Sequence, residues 1–278
     1  MYDLLIEPLR YPFMRRAAIE IVLLAVLGGV VGVHVLLRRL SFLTEVVQHT
    51  VFPGIAIAFA FGQSLLLGAL ATAIISVFIL AVLARQRRVD ADSAMAVIFA
   101  VFVATGVVVV SRRHGFQADL TALLFGRILA IDTRQVVETL IIAGACLAAI
   151  AIVHKELVLR AFDDSAAEAM GYPLTRLDLV FDVVVALAVV AGIRALGTIL
   201  VVALIVTPAA TARLVCHRVG PSMGLAAAIG ALGGMAGLLV AFHASVDHDV
   251  RFAPGATIVV VLTAIFAVVA TANALRRA

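Results

Sequence analysis

The stretch 42-FLTEVVQHTVFPGIAIAF-59 is apolar enough to lie in a bilayer, yet it carries Glu45, His49 and the pair Pro53–Gly54. A carboxylate and an imidazole four residues apart share one helical face, a single turn from each other. If the helix enters the membrane near Ser41, a rise of about 1.5 Å per residue sets His49 about 12 Å deep, near the bilayer middle. A carboxylate at that depth costs about 3 kcal/mol or more unless it is paired, and so marks a substrate or ion pathway. The competing reading is a Glu–His hydrogen bond that only holds helices together.

The rest of the chain explains why a bilayer is the right solvent. Of its 278 residues 64% are hydrophobic and 14% charged, and the mean hydropathy is +1.18. A soluble globule needs far more polar surface. A soluble enzyme and a disordered regulator are both excluded. Apolar runs at 17–37, 42–62, 65–84, 93–111, 136–153, 178–196, 198–216, 222–243 and 254–274 predict an all-α polytopic helical bundle of about nine transmembrane helices. The stretch 112–135 reads as a short amphipathic or re-entrant helix. Residues 1–16 lack the pattern of a cleavable signal.

The formal charge of +4 is carried by short arginine clusters between apolar runs. That is the decoration of membrane loops, with no continuous stripe for nucleic acid. With the N-terminus outside, just over half of the 21 lysines and arginines fall on the cytoplasmic side, the expected bias. The single lysine, Lys155, follows a histidine and precedes Glu156. A phosphate-binding loop needs Gly-Lys-Ser/Thr after a glycine-rich run, so the chain is no P-loop ATPase. Cys146 and Cys216 sit in apolar segments without metal spacing and read as packing residues.

Pro53 with Gly54, and Pro208, fall inside spans and are expected to break or kink them, since proline removes an N–H and crowds the preceding turn. Freed carbonyls in a bilayer persist only where protein or a cavity shelters them. The polar stretch 155–176 interrupts the chain near its middle. There Asp163 or Asp164 can cap a short helix running through Glu168 to Gly171, with Pro173 preventing continuation.

The donors at positions 45 and 49 suit Zn²⁺, Mn²⁺ or Fe²⁺, and the absence of thiolates argues against a Cu⁺ or tight Zn²⁺ trap. Further possible pathway ligands are Asp182, near the start of its span, and His243, Asp247, His248 and Asp249 in the last external loop, with His114 and Asp119 flanking another. Glu20 and His34 are expected at the interfaces of the first span, where polar groups are cheap. Arg194, before Gly197, is expected to be structural, and the small residues of 230-GALGGMAG-237 to allow close helix packing.

The segment 42–59 resembles the acidic-x-x-Ser-His-x-x-x-Pro-Gly motif of the metal ABC-importer permeases of the ABC-3 family, with Glu45 where Asp is usual and Gln48 where Ser is usual. The resemblance continues through 92-DSAMAVIFAVFVATGVVVVS-111, 119-DLTALLFGRILAI-131, 162-FDDSAAEAMGYP-173, 193-IRALGTILVVALIVTPAATARL-214 and 252-FAPGATIVVVL-262. It implies a fold like that of type II ABC importers, with residues 1–278 forming one permease domain. It also implies a multi-pass protein of the bacterial inner membrane, working as a homodimer with a cytoplasmic ATPase that binds the ATP and an extracytoplasmic metal-binding protein. Zn²⁺ or Mn²⁺, zinc slightly preferred, would be cargo, with no permanently bound cofactor. Glu45 and His49 map to the metal path, and residues 162–172, with Asp163, Asp164, Glu168 and Gly171, to the coupling helix that docks on the ATPase. A secondary metal–proton exchanger using Glu45 and His49 as a relay is the alternative. An intramembrane hydrolase lacks its usual H-E-x-x-H cue.

Overall fold

The computed structural model describes residues 8–83, 91–111, 126–247 and 253–276. Ten α-helices and no strand occur among them: α1 Pro12–Leu37, α2 Ser41–Ala60, α3 Leu65–Leu83, α4 Ala91–Ser111, α5 Thr133–Phe162, α6 Asp164–Ala169, α7 Leu174–Leu196, α8 Thr198–Val215, α9 Val219–Asp247 and α10 Pro254–Leu275. Eight of these are long and apolar enough to cross a membrane, and α4 adds a shorter apolar helix over Ser93–Val109. The expected helical bundle is thus observed, with eight such helices where about nine spans were expected, and the expected span 93–111 falls on the shorter helix α4. Helices satisfy their backbone groups internally, which is what a lipid solvent demands.

The chain divides into two compact units. The first comprises Met1–Leu36, Thr121–Leu147 and Ala191–Ala278. In it α8, α9 and α10 pack on one another, and Asn273 at the end of α10 donates to the carbonyl of Leu214 at 3.0 Å. Glu20 and His34 of α1 are fully buried, contrary to the expected interfacial placement. For Glu20 the reason is a partner in the protein, the Thr139 hydroxyl, which donates to its carboxyl oxygen at 2.6 Å. Arg194, expected to be structural, donates to Glu138 at 2.6 Å. Of the stretch 112–135, residues 112–125 lie outside the described residues. The remainder holds a 3-10 turn, Ile128–Ala130, that leads into α5.

The second unit comprises Leu37–Leu120 and Ala148–Val190. Here α2 packs on α3 and α4. The hydroxyls of Thr50 and Ser76 meet at 3.0 Å in the buried α2–α3 seam. A Cβ added at Gly54 would stand 2.1 Å from the carbonyl oxygen of Gly68, so only glycine lets these two backbones approach so closely.

The expected breaks at Pro53–Gly54 and Pro208 do not interrupt their helices: α2 continues through Pro53 and α8 through Pro208. Each proline withholds one N–H, from the carbonyls of His49 and Leu204 respectively. The loss of one bond is tolerated where surrounding helices support the turn, and both prolines are buried.

Candidate metal path and coupling helix

The pair in the N-terminal half of α2 is built by helix periodicity alone. Nε2 of His49 lies 3.3 Å from Oε1 of Glu45, while Nε2 of the neighbouring Gln48 stands 3.5 Å from the same imidazole nitrogen. The His49 ring meets that of Phe99 of α4 in a T-shaped arrangement, with centroids 4.8 Å apart. Gln48 itself is buried, and its side-chain Oε1 finds no donor. Neither Gln48 nor Phe99 is identifiable from the sequence as a neighbour of the site. Gln48 stands out there only as a departure from the Ser of the motif.

The pair is not sealed inside the chain. The side chain of His49 is 34% exposed and that of Glu45 42%. At about 100° per residue Gly54 falls on the opposite side of α2 from Glu45. The glycine faces α3, and the carboxylate opens away from that seam. An imidazole and a carboxylate supply one nitrogen and one hard oxygen donor type, a set suited to Mn²⁺, Fe²⁺ or Zn²⁺. Among the described residues no cluster of three or more metal-ligating side chains forms, and the pair itself supplies two donor side chains.

The other sequence candidates scatter. Asp182 lines a cavity of about 580 Å³ that also touches Arg38, Arg160, Asp164 and Asp178. His243 and Asp247, expected in a loop, belong to the last turns of α9, because the helix runs past the end of its apolar stretch. Nδ1 of His243 is occupied by the Leu239 carbonyl at 2.9 Å. His248, Asp249, His114 and Asp119 lie outside the described residues.

Between α5 and α7 the short helix α6 is capped by Asp163, whose Oδ1 accepts the Ala166 N–H at 2.8 Å and the Ser165 hydroxyl at 2.7 Å. Those bonds, the backbone one foremost, hold the Asp163 carboxyl below the ordinary aspartate value. Gly171 ends the turn with φ +78°, a left-handed conformation that glycine adopts without strain. Asp164 and Glu168 are exposed. Phe162, Met170 and Tyr172 beside them are also exposed, an apolar rim unusual for a merely wet loop.

Comparison with known proteins adds independent findings. The family model of the ABC 3 transport family matches residues 10–273. The manganese transport system membrane protein MntC of Halalkalibacterium halodurans is 32% identical over 259 residues, covering 93% of this chain and 87% of that protein. The chelated iron transport system membrane protein YfeD of Yersinia pestis is 31% identical, covering 97% of this chain and 88% of that protein. Among solved structures, PsaBC from Streptococcus pneumoniae in complex with Fab superposes with a TM-score of 0.83 at 28% identity, over 97% of this chain and 95% of that one.

Proposed function

The chain belongs to the ABC 3 transport family and is a multi-pass metal-transporter permease, and we propose that two copies of it form the path by which an ABC importer takes up divalent manganese. The observation that carries this reading is the half-open Glu45–His49 pair. A carboxylate within the membrane-spanning part of α2 is costly to present to lipid. Meeting the same pair of a second copy across a central path supplies two carboxylates and two imidazoles, a complete set of donors. Such a shell built between two copies opens when they part, so the ion can leave.

Sequence chemistry alone leaves zinc slightly ahead. The names of the relatives, manganese and chelated iron, together with a donor set of carboxylate and imidazole without thiolate, favour manganese instead. In this reading a separate cytoplasmic ATPase docks on α6, the exposed Phe162, Met170 and Tyr172 that flank it entering a groove of that partner. A separate extracytoplasmic protein delivers the ion, and ATP binding alternates access to the path. Family membership sets aside the proton-exchanger alternative.

The test is the manganese, iron and zinc content, by mass spectrometry, of cells carrying this chain with its ATPase and binding protein, in wild type and in Glu45→Ala and His49→Ala forms at matched expression. Manganese accumulation in the wild type, lost in both variants, is expected. Accumulation that survives both substitutions would make the pair a packing contact and move the path elsewhere.

A further inference from the structure

Four charged side chains form an unbroken string at one end of the second unit. Asp164 of α6 pairs with Arg160 in the last turns of α5. Arg160 also reaches Asp178 of α7, Nη2 to Oδ2 at 3.4 Å. The other carboxylate oxygen of Asp178 accepts from Arg38, in the turn that leads into α2. The string therefore begins on the helix read as the ATPase dock and ends three residues before Ser41, the first residue of the helix that carries Glu45 and His49.

Two features separate this string from ordinary surface ion pairs, which contribute little. Arg38 is nearly enclosed, its side chain 9% exposed and its guanidinium stacked 4.8 Å from the centroid of the Phe181 ring. Asp178 is its hydrogen-bond partner, and Asp182 lines the same cavity, so the nearly enclosed charge is held in place by carboxylates of α7. The next residue, Arg39, has φ +57°, a left-handed backbone that a non-glycine residue keeps only where its neighbours hold it. The start of α2 is thus set by a strained turn pinned on one side by the string. The cavity of about 580 Å³ lined by these same four residues leaves them room to shift.

We propose that Asp164, Arg160, Asp178 and Arg38 are positioning residues for transport, a tie that passes movement of α6 to the turn before α2 and so to Glu45 and His49. The proposal rests on α6 being the docking helix. A load applied at α6 reaches Arg160 through Asp164. Arg160 holds Asp178 at the same time, so the first turns of α7 and the Arg38–Arg39 turn move with it.

The test uses the whole transporter, this chain with its ATPase and binding protein, in proteoliposomes. Manganese import, ATP hydrolysis and retention of the ATPase on the purified permease are read for each variant. Arg160→Gln and Asp178→Asn are expected to keep the ATPase bound and hydrolysing while import falls by about tenfold, the size of an ordinary coupling between sites, so that more ATP is consumed per ion. Arg160→Lys, the variant gentlest to folding, keeps the charge but loses the fork that reaches two carboxylates, and is expected to raise the same ratio by a smaller factor. A wild-type ratio in Arg160→Lys and in whichever of the neutral variants folds would overturn the tie. So would a parallel loss of import and of ATPase retention, because the string would then only shape the dock. The docking reading has its own control in Met170→Glu. If that variant retains the ATPase as wild type does, α6 is not the dock, and the tie falls with it whatever Arg160 does.

Discussion

Glu45 and His49 are coupled by a single hydrogen bond of 3.3 Å, and the two make different demands on a substitution. Glu45→Gln keeps the shape and removes the charge, so manganese import should fall about a hundredfold, the loss expected when a charged ligand goes. Glu45→Asp, which restores the residue usual in the family motif, should keep import within about tenfold of wild type. Equal uptake in the Gln and Asp variants would show that the charge is irrelevant. On the far side of the same helix, Gly54→Ala drives a methyl group into the Gly68 carbonyl. Overpacking of this kind costs about 1–3 kcal/mol, read as a lower unfolding midpoint in detergent. The pair was legible in the sequence because spacing and depth are local properties. The string from Asp164 to Arg38 was not. Arg38 and Asp178 stand 140 residues apart, and each arginine taken singly passes for loop decoration.

At the scale of the element, α6 is short enough that its cap decides whether it forms. Asp163→Ala should unravel it and weaken retention of the ATPase, whereas Asp163→Asn, itself a good cap, should preserve both. The acid dependence follows from the depressed Asp163 carboxyl. Its ionised form is the better cap, so the contribution is full above about pH 4 and fades as pH falls through the lower, folded-state value. The Asn variant should lack that loss, and an identical acid profile in both would refute the assignment. Between α2 and α3, the Thr50–Ser76 bond should give a double-mutant coupling of about 0.5–1.5 kcal/mol on Ala replacement, measured by unfolding. The helices themselves were legible from apolar runs, down to the capped turn at Asp163. Their continuity through Pro53 and Pro208 was not, because a proline announces its lost bond but not the neighbours that compensate for it.

For the whole molecule, a path completed by a second copy predicts contact between like residues. In a chain whose Cys146 and Cys216 are replaced by serine, Glu45→Cys should be joined to its counterpart by a short bis-maleimide linker in membranes. Absence of a linked dimer would exclude a shared path at that level. The glycine contact between α2 and α3 matters here in another way. Two backbones pressed together at Gly54 and Gly68 leave no room between them for even a methyl group, so α2 and α3 are held there as one piece. The seam acts as a keel: with one flank of α2 fixed to α3, the proposed path is left the other flank, the one on which Glu45 and His49 open.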